Sequence, residues 1–418
     1  MSWIRMHTPS ALYLALAGCA AETTAIAYTG ATVWDGTGAP AVAAATLVID
    51  SGRVVAVGVD VEPPRGATIV PLDGKYVIPG LVDAHAHVTG AWAPEGVTDP
   101  VERVRGDLLL YARYGVTAVN SLGDDPPALA ARDAASPMDA RARIQVSGPV
   151  IAANDAAGAR AAALANADAG VDWLKLRVDD DLGTVAKMPW EAISAVIETG
   201  RERGLRVATH MFYLEDARRL LELGTGLLAH SVRDTDVDAA FIDRLRASGV
   251  CYVPTLVRDV STFVYAERPD WFEDPFFQTH ANPREVARVS DPEFMSAMRA
   301  SRAAAGYRLA LVQAQRNLKA LSDAGVPIAF GTDAGPAARF PGYFQHLELQ
   351  LMVDAGLTPS EALESATRVA AECVGMERVG TLEPGSWADF LVLGADPLTD
   401  IGATRELEQV YVGGVLVR

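Results

Sequence analysis

The chain has 418 residues, half of them apolar, and its 53 acidic residues outnumber its 36 basic ones to give a formal net charge of −17. This hydrophobicity excludes intrinsic disorder. The negative charge excludes an ordinary nucleic-acid-binding protein, because its surface would repel phosphates. The length allows one large α/β barrel with an appendage, or two to three ordinary domains. Only four residues are lysines and seven are histidines, and three cysteines are too few for a disulfide scaffold.

The first residues are typical of a signal peptide. An apolar run over 11–17 is too short to span a bilayer, which requires roughly 20 residues. The run leads into Leu16-Ala17-Gly18-Cys19, which resembles a bacterial lipobox, where the cysteine becomes the lipidated first residue. We therefore expect a lipoprotein signal peptide over 1–18 and a periplasmic protein anchored to the membrane by lipid on Cys19. Secretion as a soluble protein and a buried N-terminal segment are the alternatives.

Both ends of the mature chain predict short strands separated by turns. The predicted strands are Ala45–Ile49 and Arg53–Val59 near the N-terminus, and Asp389–Leu393 and Gln409–Val417 near the C-terminus. We expect the two end segments, 19–78 and 379–418, to pair into one small β-sandwich domain.

Between these ends, over 79–378, apolar strands alternate with helical stretches. The predicted strands are Leu81–Val88, Val116–Leu122, Ile144–Ser147, Trp173–Val178, Arg206–Met211, Gly226–Val232, Cys251–Leu256 and Ile328–Asp333. Fully apolar strands that alternate with helices indicate a parallel sheet covered on both faces. Eight such units within about 260 residues match a (β/α)8 barrel. The predicted fold class is therefore α/β, a TIM barrel with a small β-sandwich domain formed by the N- and C-terminal segments.

Two cysteines remain after the lipobox. Cys251 lies in a predicted strand and Cys373 in a predicted helix. We expect both to be buried as small apolar residues, which is the common fate of a free cysteine.

The connection between the seventh and eighth predicted strands is unusually long and rich in aromatic residues. Six aromatic residues lie between Phe263 and Phe277. A loop that follows a strand lies at the C-terminal face of a barrel, where active sites form. The segment 257–277 is therefore either an apolar lid or substrate wall, or else a satellite hydrophobic cluster or a dimer contact.

Histidines and one aspartate are concentrated at the C-terminal ends of the predicted strands. They are His85 and His87 on strand one, His210 on strand five, His230 on strand six and Asp333 on strand eight. Side chains two residues apart on a strand share a face. Imidazole nitrogens and carboxylate oxygens are ligands of Zn²⁺ and Mn²⁺. The pattern predicts a metal site at this end of the barrel.

Lys175 lies inside an apolar strand, in the sequence Trp173-Leu174-Lys175-Leu176. A charge in that position is costly unless it is paired. A desolvated amine can lose its proton and react with CO₂ to form a carbamate, an anionic ligand able to bridge two metals. From the residues alone, a bridging carbamate and an ordinary buried lysine paired with an acid both remain open.

These residues together resemble the amidohydrolase superfamily, binuclear metal subtype. The segment Ile78-Pro79-Gly80-Leu81-Val82-Asp83-Ala84-His85-Ala86-His87 is similar to the family's strand-one motif, and Gly385-Ser386-Trp387-Ala388-Asp389-Phe390 is similar to its return into the β-sandwich. The match covers nearly the whole chain. It is greatest with the imidazolonepropionase-like and prolidase-like dipeptidase group, in which the lysine at the position of Lys175 is carboxylated.

The resemblance implies two divalent metal ions, zinc being favoured over manganese or iron. His85, His87 and Asp333 would hold one metal, His210 and His230 the other, and carboxylated Lys175 would bridge them. A hydroxide between the metals would attack the substrate carbonyl, with Asp333 as the catalytic general acid and base. The implied reaction is hydrolysis of an amide bond in a small molecule such as a dipeptide, an N-acyl amino acid or a cyclic amide.

The substrate contacts are less constrained by sequence. Members of the dipeptidase group often carry a histidine in the loop after strand three, but the corresponding segment here, 147–155, has none, so the substrate can differ from theirs. Arg177, Arg233 and Arg258 follow strand ends and could bind a substrate carboxylate through paired hydrogen bonds. Tyr213 could hydrogen-bond the carbonyl. The three consecutive acids 179–181 fit a solvated loop or ion-pair partners better than another metal site.

Two other functions remain open from sequence. A lactonase or phosphotriesterase could use the same binuclear centre, and a periplasmic lipoprotein could bind metal or ligand without catalysis. A mononuclear deaminase is disfavoured because it needs no bridging lysine. The sequence leaves the oligomeric state open, a homo-oligomer included.

Overall fold

Strands occupy both ends of the chain and alternate with helices between them. The computed structural model describes residues 24–124 and 126–418. Its strands are β1 (Ile26–Val33), β2 (Val42–Asp50), β3 (Arg53–Gly58), β4 (Thr68–Pro71), β5 (Tyr76–Pro79), β6 (Leu81–Ala86), β7 (Val116–Ser121), β8 (Arg143–Val146), β9 (Trp173–Arg177), β10 (Arg206–His210), β11 (Leu227–Ala229), β12 (Cys251–Val253), β13 (Phe390–Leu393), β14 (Leu407–Val412) and β15 (Val415–Leu416). Its α-helices are α1 (Pro100–Arg113), α2 (Pro126–Asp133), α3 (Ala156–Asp168), α4 (Trp190–Arg203), α5 (Leu214–Leu223), α6 (Ala239–Ser248), α7 (Leu256–Val260), α8 (Pro275–Gln278), α9 (Pro283–Val289), α10 (Pro292–Ala300), α11 (Arg302–Asp323), α12 (Tyr343–Asp354), α13 (Pro359–Glu364) and α14 (Ala370–Val374).

The expected signal peptide, 1–18, and Cys19 lie outside the described residues. In the part of the chain that is described, no helix combines the length and the apolar character needed to cross a membrane.

Local sequence signals determine where the barrel helices begin and end. The Asp99 carboxylate caps α1 by accepting hydrogen bonds from the backbone N–H groups of Val101 and Glu102. Helices α4 and α5 each end at a glycine in the left-handed conformation, Gly204 and Gly224, which residues with a Cβ rarely adopt.

The barrel is built from two parallel sheets joined at their edges. Strands β6, β7 and β8 form one sheet, and β9 to β12 form the other. At one junction the N–H of Ile151 donates to the carbonyl of Lys175, at 2.8 Å. At the other, Ala329 N–H donates to the Tyr252 carbonyl at 2.9 Å, and Ala84 N–H donates to the Phe330 carbonyl at 2.9 Å. The segment 328–332 thus lies between β12 and β6 and closes the ring.

The predicted eighth strand is the least regular part of the ring. Ile328 forms a single parallel bridge with Tyr252, and no regular strand runs over Ile328–Asp333, contrary to the sequence prediction. Gly331 packs so closely that a Cβ there would lie 2.4 Å from Val253 Cγ1. Asp333 then leaves the extended conformation with φ of 58°. The segment therefore follows the barrel wall only briefly before it turns toward the site.

A disulfide between Cys251 and Cys373 links the barrel floor to α14. The prediction of burial is correct for both cysteines, but the prediction that they are free thiols is wrong. Helix α14 packs against the first residues of the parallel strands, and this brings the two Cα atoms to 6.0 Å, within disulfide range. The two cysteines are 122 residues apart in the sequence, so no local sequence pattern indicated this contact.

The two chain ends pair into one small β domain, as predicted, but the described strands form a single mixed sheet where a β-sandwich was expected. Its order is β15-β14-β13-β5-β1-β2-β3, with β4 paired to β1. The antiparallel pairing of β5 with β13 joins the N-terminal and C-terminal segments. Tyr28, Phe390 and Tyr411 pack together in the core of this domain, with Phe390 and Tyr411 stacked at a centroid distance of 4.3 Å. Strand β5 leads directly into β6, so this domain fixes the start of the first barrel strand.

The aromatic segment 257–277 folds into short helices packed on the barrel. Its members Tyr265, Phe272 and Phe277 are buried, and they contact Phe340 and Tyr343 near the start of α12. This arrangement favours the satellite hydrophobic cluster over a lid. Phe263 packs elsewhere, in a separate small cluster beside Phe212 and Tyr307.

The disulfide is expected to stabilise the fold by reducing the conformational entropy of the unfolded chain. Reduction, or the double change Cys251→Ser and Cys373→Ser, should lower the free energy of unfolding by about 2–4 kcal/mol. Denaturant midpoints with and without dithiothreitol measure this effect, and the double variant is the matched control because reductant should leave its midpoint unchanged. Equal midpoints for the wild-type protein in both conditions would contradict the bond.

Candidate metal centre

Parallel strands bring the six predicted ligands to one end of the barrel. His85 lies on β6, Lys175 on β9 and His210 at the last residue of β10. His230 directly follows β11, and Asp333 follows the short eighth segment. His230 and Asp333 both have positive φ, 75° and 58°, a conformation that is uncommon for residues with side chains. Such strain is concentrated at functional sites.

The side chains converge on Asp333 and His85. The Nε2 atom of His87 lies 2.7 Å from Asp333 Oδ1, and that of His85 lies 3.4 Å from the same oxygen. Lys175 Nζ lies 3.2 Å from His85 Nε2. The ring of His230 is 4.7 Å from that of His85 and 4.1 Å from that of His210, measured between centroids. One ligand atom each from His85, His230 and Asp333 fits within 4.8 Å.

Burial keeps His85, His210 and His230 in the neutral form that binds metals. It lowers the pKa of His210 to about 3 and moves the pKa values of His85 and His230 well below the ordinary value, and neighbouring positive groups add to the effect at the latter two. Neutral imidazole is the form that donates a lone pair to a metal.

Asp333 and Lys175 have opposite electrostatic surroundings. Burial by itself would raise the pKa of Asp333, but Arg339 and the two strand-one histidines outweigh it and hold that pKa well below its usual range. Burial lowers the pKa of Lys175 to about 8, although the charge of Asp333 opposes this. At neutral pH Asp333 is therefore a carboxylate, whereas Lys175 becomes the neutral amine as the pH rises through about 8.

Two polar groups orient the histidines of strands five and six. Asp179 Oδ2 lies 3.0 Å from His210 Nε2, and Thr255 Oγ1 lies 2.6 Å from His230 Nδ1. These contacts leave Nδ1 of His210 and Nε2 of His230 for a further ligand. The His230 Nε2 atom is buried and has no hydrogen-bond partner in the described part of the chain.

A buried carboxylate joins the first strand to the last. Asp83 Oδ1 accepts from the backbone N–H of His85 at 2.9 Å. Its Oδ2 accepts from Thr332 Oγ1 and from Gln345 Nε2, each at 2.6 Å. This network fixes the backbone on either side of His85 and Asp333, so the two strand ends hold a constant separation.

Two of the predicted substrate contacts are engaged within the protein. The Arg177 guanidinium pairs with Asp181 and lies 3.8 Å from Asp179. The Tyr213 hydroxyl donates to Asp180 Oδ1 at 2.8 Å. These three acids therefore support neighbouring side chains, which agrees with the ion-pair interpretation, and Asp179 is buried, not solvated.

The other two predicted contacts lie beside the centre. Arg233 and Arg258 are buried, and both contact Asp259 Oδ1, at 3.2 and 3.1 Å from their Nη1 atoms. Arg258 Nε is also 3.9 Å from Asp333 Oδ2.

Sequence reasoning missed the supporting residues. Asp179 was placed among ion-pair partners without a link to His210, and Thr255 and Arg339 were not considered. Arg339 Nη1 contacts Asp333 Oδ2 directly. Arg339 could have been found from its position in the sequence, because it follows Asp333 by six residues at the C-terminal face of the barrel.

The family assignment follows from comparison with known proteins. The model of the amidohydrolase family matches residues 76–417, which is most of the chain. The chain belongs to the amidohydrolase family. The predicted family and the barrel fold are confirmed, and the activity class is that of a hydrolase.

Individual relatives of this amidohydrolase are distant but cover nearly its full length. An uncharacterized protein of Mycobacterium tuberculosis is 28% identical over 390 residues, covering 91% of this chain and 94% of that protein. An imidazolonepropionase of Streptomyces avermitilis is 25% identical over 374 residues, covering 84% and 81%. Among solved structures, one assigned as a prolidase from Bifidobacterium longum has a TM-score of 0.75 at 24% identity and covers 95% of both chains.

The residues at the centre fit divalent metals. Amidohydrolases generally use such ions, and the donors here are imidazoles, one carboxylate and one desolvated amine. Buried histidine nitrogens without partners, such as His230 Nε2, are costly to retain unless a ligand satisfies them.

Asp179 is expected to set the metal affinity through His210. In Asp179→Asn the carboxylate that orients the His210 imidazole is lost, so the affinity for zinc should fall by about 10-fold or more. Competition with a chromophoric chelator measures the dissociation constant.

Asp181→Asn is the matched control, because Asp181 pairs with Arg177 and has no contact with a histidine in the described structure. Equal zinc affinity in the two variants would refute the positioning role of Asp179.

Proposed function

We propose that this protein is a binuclear metal-dependent hydrolase that cleaves the amide C–N bond of a small substrate. The observation that carries the proposal is the buried contact of Lys175 with the histidine and aspartate cluster. The hydrogen-bond partner of the Lys175 amine in the described chain is a histidine nitrogen and not the acid that an ordinary buried lysine would need.

Charge balance supports a carbamate on Lys175. Two divalent ions would bring four positive charges, whereas His85, His210 and His230 are neutral and Asp333 supplies one negative charge. The neutral amine of Lys175 can attack CO₂ and release one proton, which yields a carbamate with a second negative charge. Buried charges need this compensation to be tolerated.

The ligands divide between two positions in this proposal. His85, His87 and Asp333 would hold one metal, His210 and His230 would hold the other, and the modified Lys175 would supply a further anionic ligand. Metals bound there, with zinc the favoured choice over manganese or iron, would lower the pKa of water and polarise a carbonyl.

Asp333 is the group that moves the proton. Its carboxylate accepts a proton from the attacking water and transfers it to the leaving nitrogen. Contacts with His87 and Arg339 on separate oxygens fix its orientation. The support for an amide substrate is the relative named imidazolonepropionase and the structural neighbour assigned as a prolidase.

A substrate panel tests the reaction class. The zinc-loaded enzyme should hydrolyse members of a set of dipeptides, N-acyl amino acids and cyclic amides with higher kcat/KM than lactones or phosphotriesters. Preference for a lactone or phosphotriester would contradict the proposal in favour of that alternative. Binding of metal without turnover of any substrate would favour a non-catalytic lipoprotein.

Lys175 variants test the carbamate. Lys175→Ala and Lys175→Arg should each lose about 100-fold or more in kcat, because neither can provide the anionic bridge. Acetate or propionate should partly restore Lys175→Ala, which leaves space for a carboxylate, but not Lys175→Arg. Lys319→Arg, at an exposed ion pair with Asp323, is the control. Full activity of Lys175→Arg would refute the carbamate.

We also propose that the protein is an anchored periplasmic lipoprotein. The lipobox-like sequence ending at Cys19 supports this location, and the Cys251–Cys373 disulfide is typical of an oxidising compartment. In an expression host with lipoprotein processing, Cys19→Ala should release the protein from the membrane fraction, as measured by fractionation and immunoblotting. Unchanged membrane retention would contradict the lipid anchor.

A further inference from the structure

Thr255 precedes helix α7, but its side chain does not cap that helix. A threonine in this position usually accepts a hydrogen bond from a backbone N–H of the first helical turn. Here the side chain makes no such bond. Its Oγ1 atom lies instead 2.6 Å from Nδ1 of His230. The first N–H groups of α7 therefore need an acceptor from elsewhere in the protein.

Glu348, on helix α12, supplies that acceptor. Its Oε1 and Oε2 atoms accept hydrogen bonds from the backbone N–H groups of Leu256 and Val257, at 2.8 and 2.6 Å. Glu348 is fully buried, and a carboxyl group is costly there unless hydrogen bonds satisfy it. The contact therefore joins α12 to the start of α7 at a defined position.

Thr255 is held in a strained conformation from both sides. Its φ and ψ are 49° and 47°, in the left-handed region that a β-branched residue rarely adopts. On one side, Ser231 Oγ donates to the carbonyl of Pro254 at 3.0 Å. On the other side, the N–H of Leu256 belongs to the rigid peptide unit that follows Thr255, so its bond to Glu348 fixes the ψ angle of Thr255. The position of the Thr255 hydroxyl group depends on both contacts.

This hydroxyl group selects which nitrogen of His230 carries the proton. Burial keeps the imidazole neutral, and a neutral imidazole has one N–H and one nitrogen with a free lone pair. With Nδ1–H donating to Thr255 Oγ1, the lone pair is on Nε2. Nε2 is also the buried nitrogen without a hydrogen-bond partner in the described structure. A shift of the Thr255 hydroxyl would therefore change the nitrogen that His230 offers to a metal.

We propose that Glu348 is a positioning residue for the metal held by His210 and His230, and that it acts through Thr255. Its hydrogen bonds reach the backbone of α7 and not the histidines. This inference rests on the proposed binuclear centre, but it concerns how the protein prepares one histidine before any metal binds.

Gln345 provides a matched comparison on the same helix. It lies three residues before Glu348 and is equally buried. Its side chain donates to Asp83 and Thr332, at 2.6 and 2.9 Å, on the side of the first and eighth barrel segments. Loss of either side chain removes buried hydrogen bonds from α12, but of the two it is Glu348 that is bonded to the turn at Thr255.

The imidazole of His230 in the metal-free protein tests the inference without catalysis. Glu348→Met removes both acceptor oxygens, and Gln345→Met removes a buried polar group of similar size. Long-range proton–nitrogen correlation spectra of protein labelled at histidine report the tautomer of each imidazole. The wild-type protein and Gln345→Met should show His230 protonated on Nδ1, whereas Glu348→Met should show a mixture of tautomers. An unchanged His230 tautomer in Glu348→Met would overturn the inference.

The affinity for zinc tests whether Glu348 acts through Thr255. In Glu348→Met the affinity for one of the two ions should fall by about 10-fold or more, measured by competition with a chromophoric chelator. Thr255→Val, which keeps the shape but lacks the hydroxyl, should cause the same fall. In the Thr255→Val background, Glu348→Met should add less than about 2-fold, because both changes affect one contact. Fully additive effects would overturn the inference.

A third variant covers the case in which Glu348→Met fails to fold. Glu348→Gln keeps one acceptor oxygen and should give a smaller change of the same kind in the His230 tautomer, and no change would again overturn the inference. Fewer than two zinc ions on the wild-type protein would count against the proposed binuclear centre. The spectra of the metal-free protein would still decide the role of Glu348.

Discussion

The contact of Asp333 with His85 and His87 joins the last barrel segment to the first, and the rest of the site depends on it. The eighth segment forms no regular strand, and it is held by backbone hydrogen bonds to Tyr252, Ala84 and His85 together with side-chain contacts. Asp333 contacts the two histidines, and Asp83 ties His85 to Thr332 from the other side. The same residues that complete the barrel therefore bring a carboxylate against two imidazoles. Closing the barrel and positioning these ligands therefore depend on the same contacts.

Burial of so many polar groups at one end of an apolar barrel has an electrostatic cost. His85, His210 and His230 lower that cost by remaining neutral, and Asp333 stays charged because Arg339 lies against it. On this account metals and a modified Lys175 take up the remaining donors. The arginines beside the centre are paired in turn, Arg233 and Arg258 with Asp259 and Arg339 with Asp333.

The sequence predicted the parts of the site that depend on strand periodicity. The histidines and Asp333 were found because they lie at the C-terminal ends of apolar strands, and Lys175 because it lies inside one, between Leu174 and Leu176. Contacts between distant loops had no such periodic signal. Asp179 and Arg339 lie on loops whose path is set by packing, and the Cys251–Cys373 bond depends on how α14 crosses the barrel floor. Gly331 shows why the eighth strand was overestimated: its apolar neighbours fit a strand, but close packing leaves it only a short pairing.

Metal content tests the central claim most directly. Inductively coupled plasma mass spectrometry on protein purified with zinc and dialysed free of excess metal gives the number of bound ions per chain. The account predicts about two, because four histidines, Lys175 and Asp333 provide ligands for two positions. One ion per chain, or none, would contradict the binuclear centre.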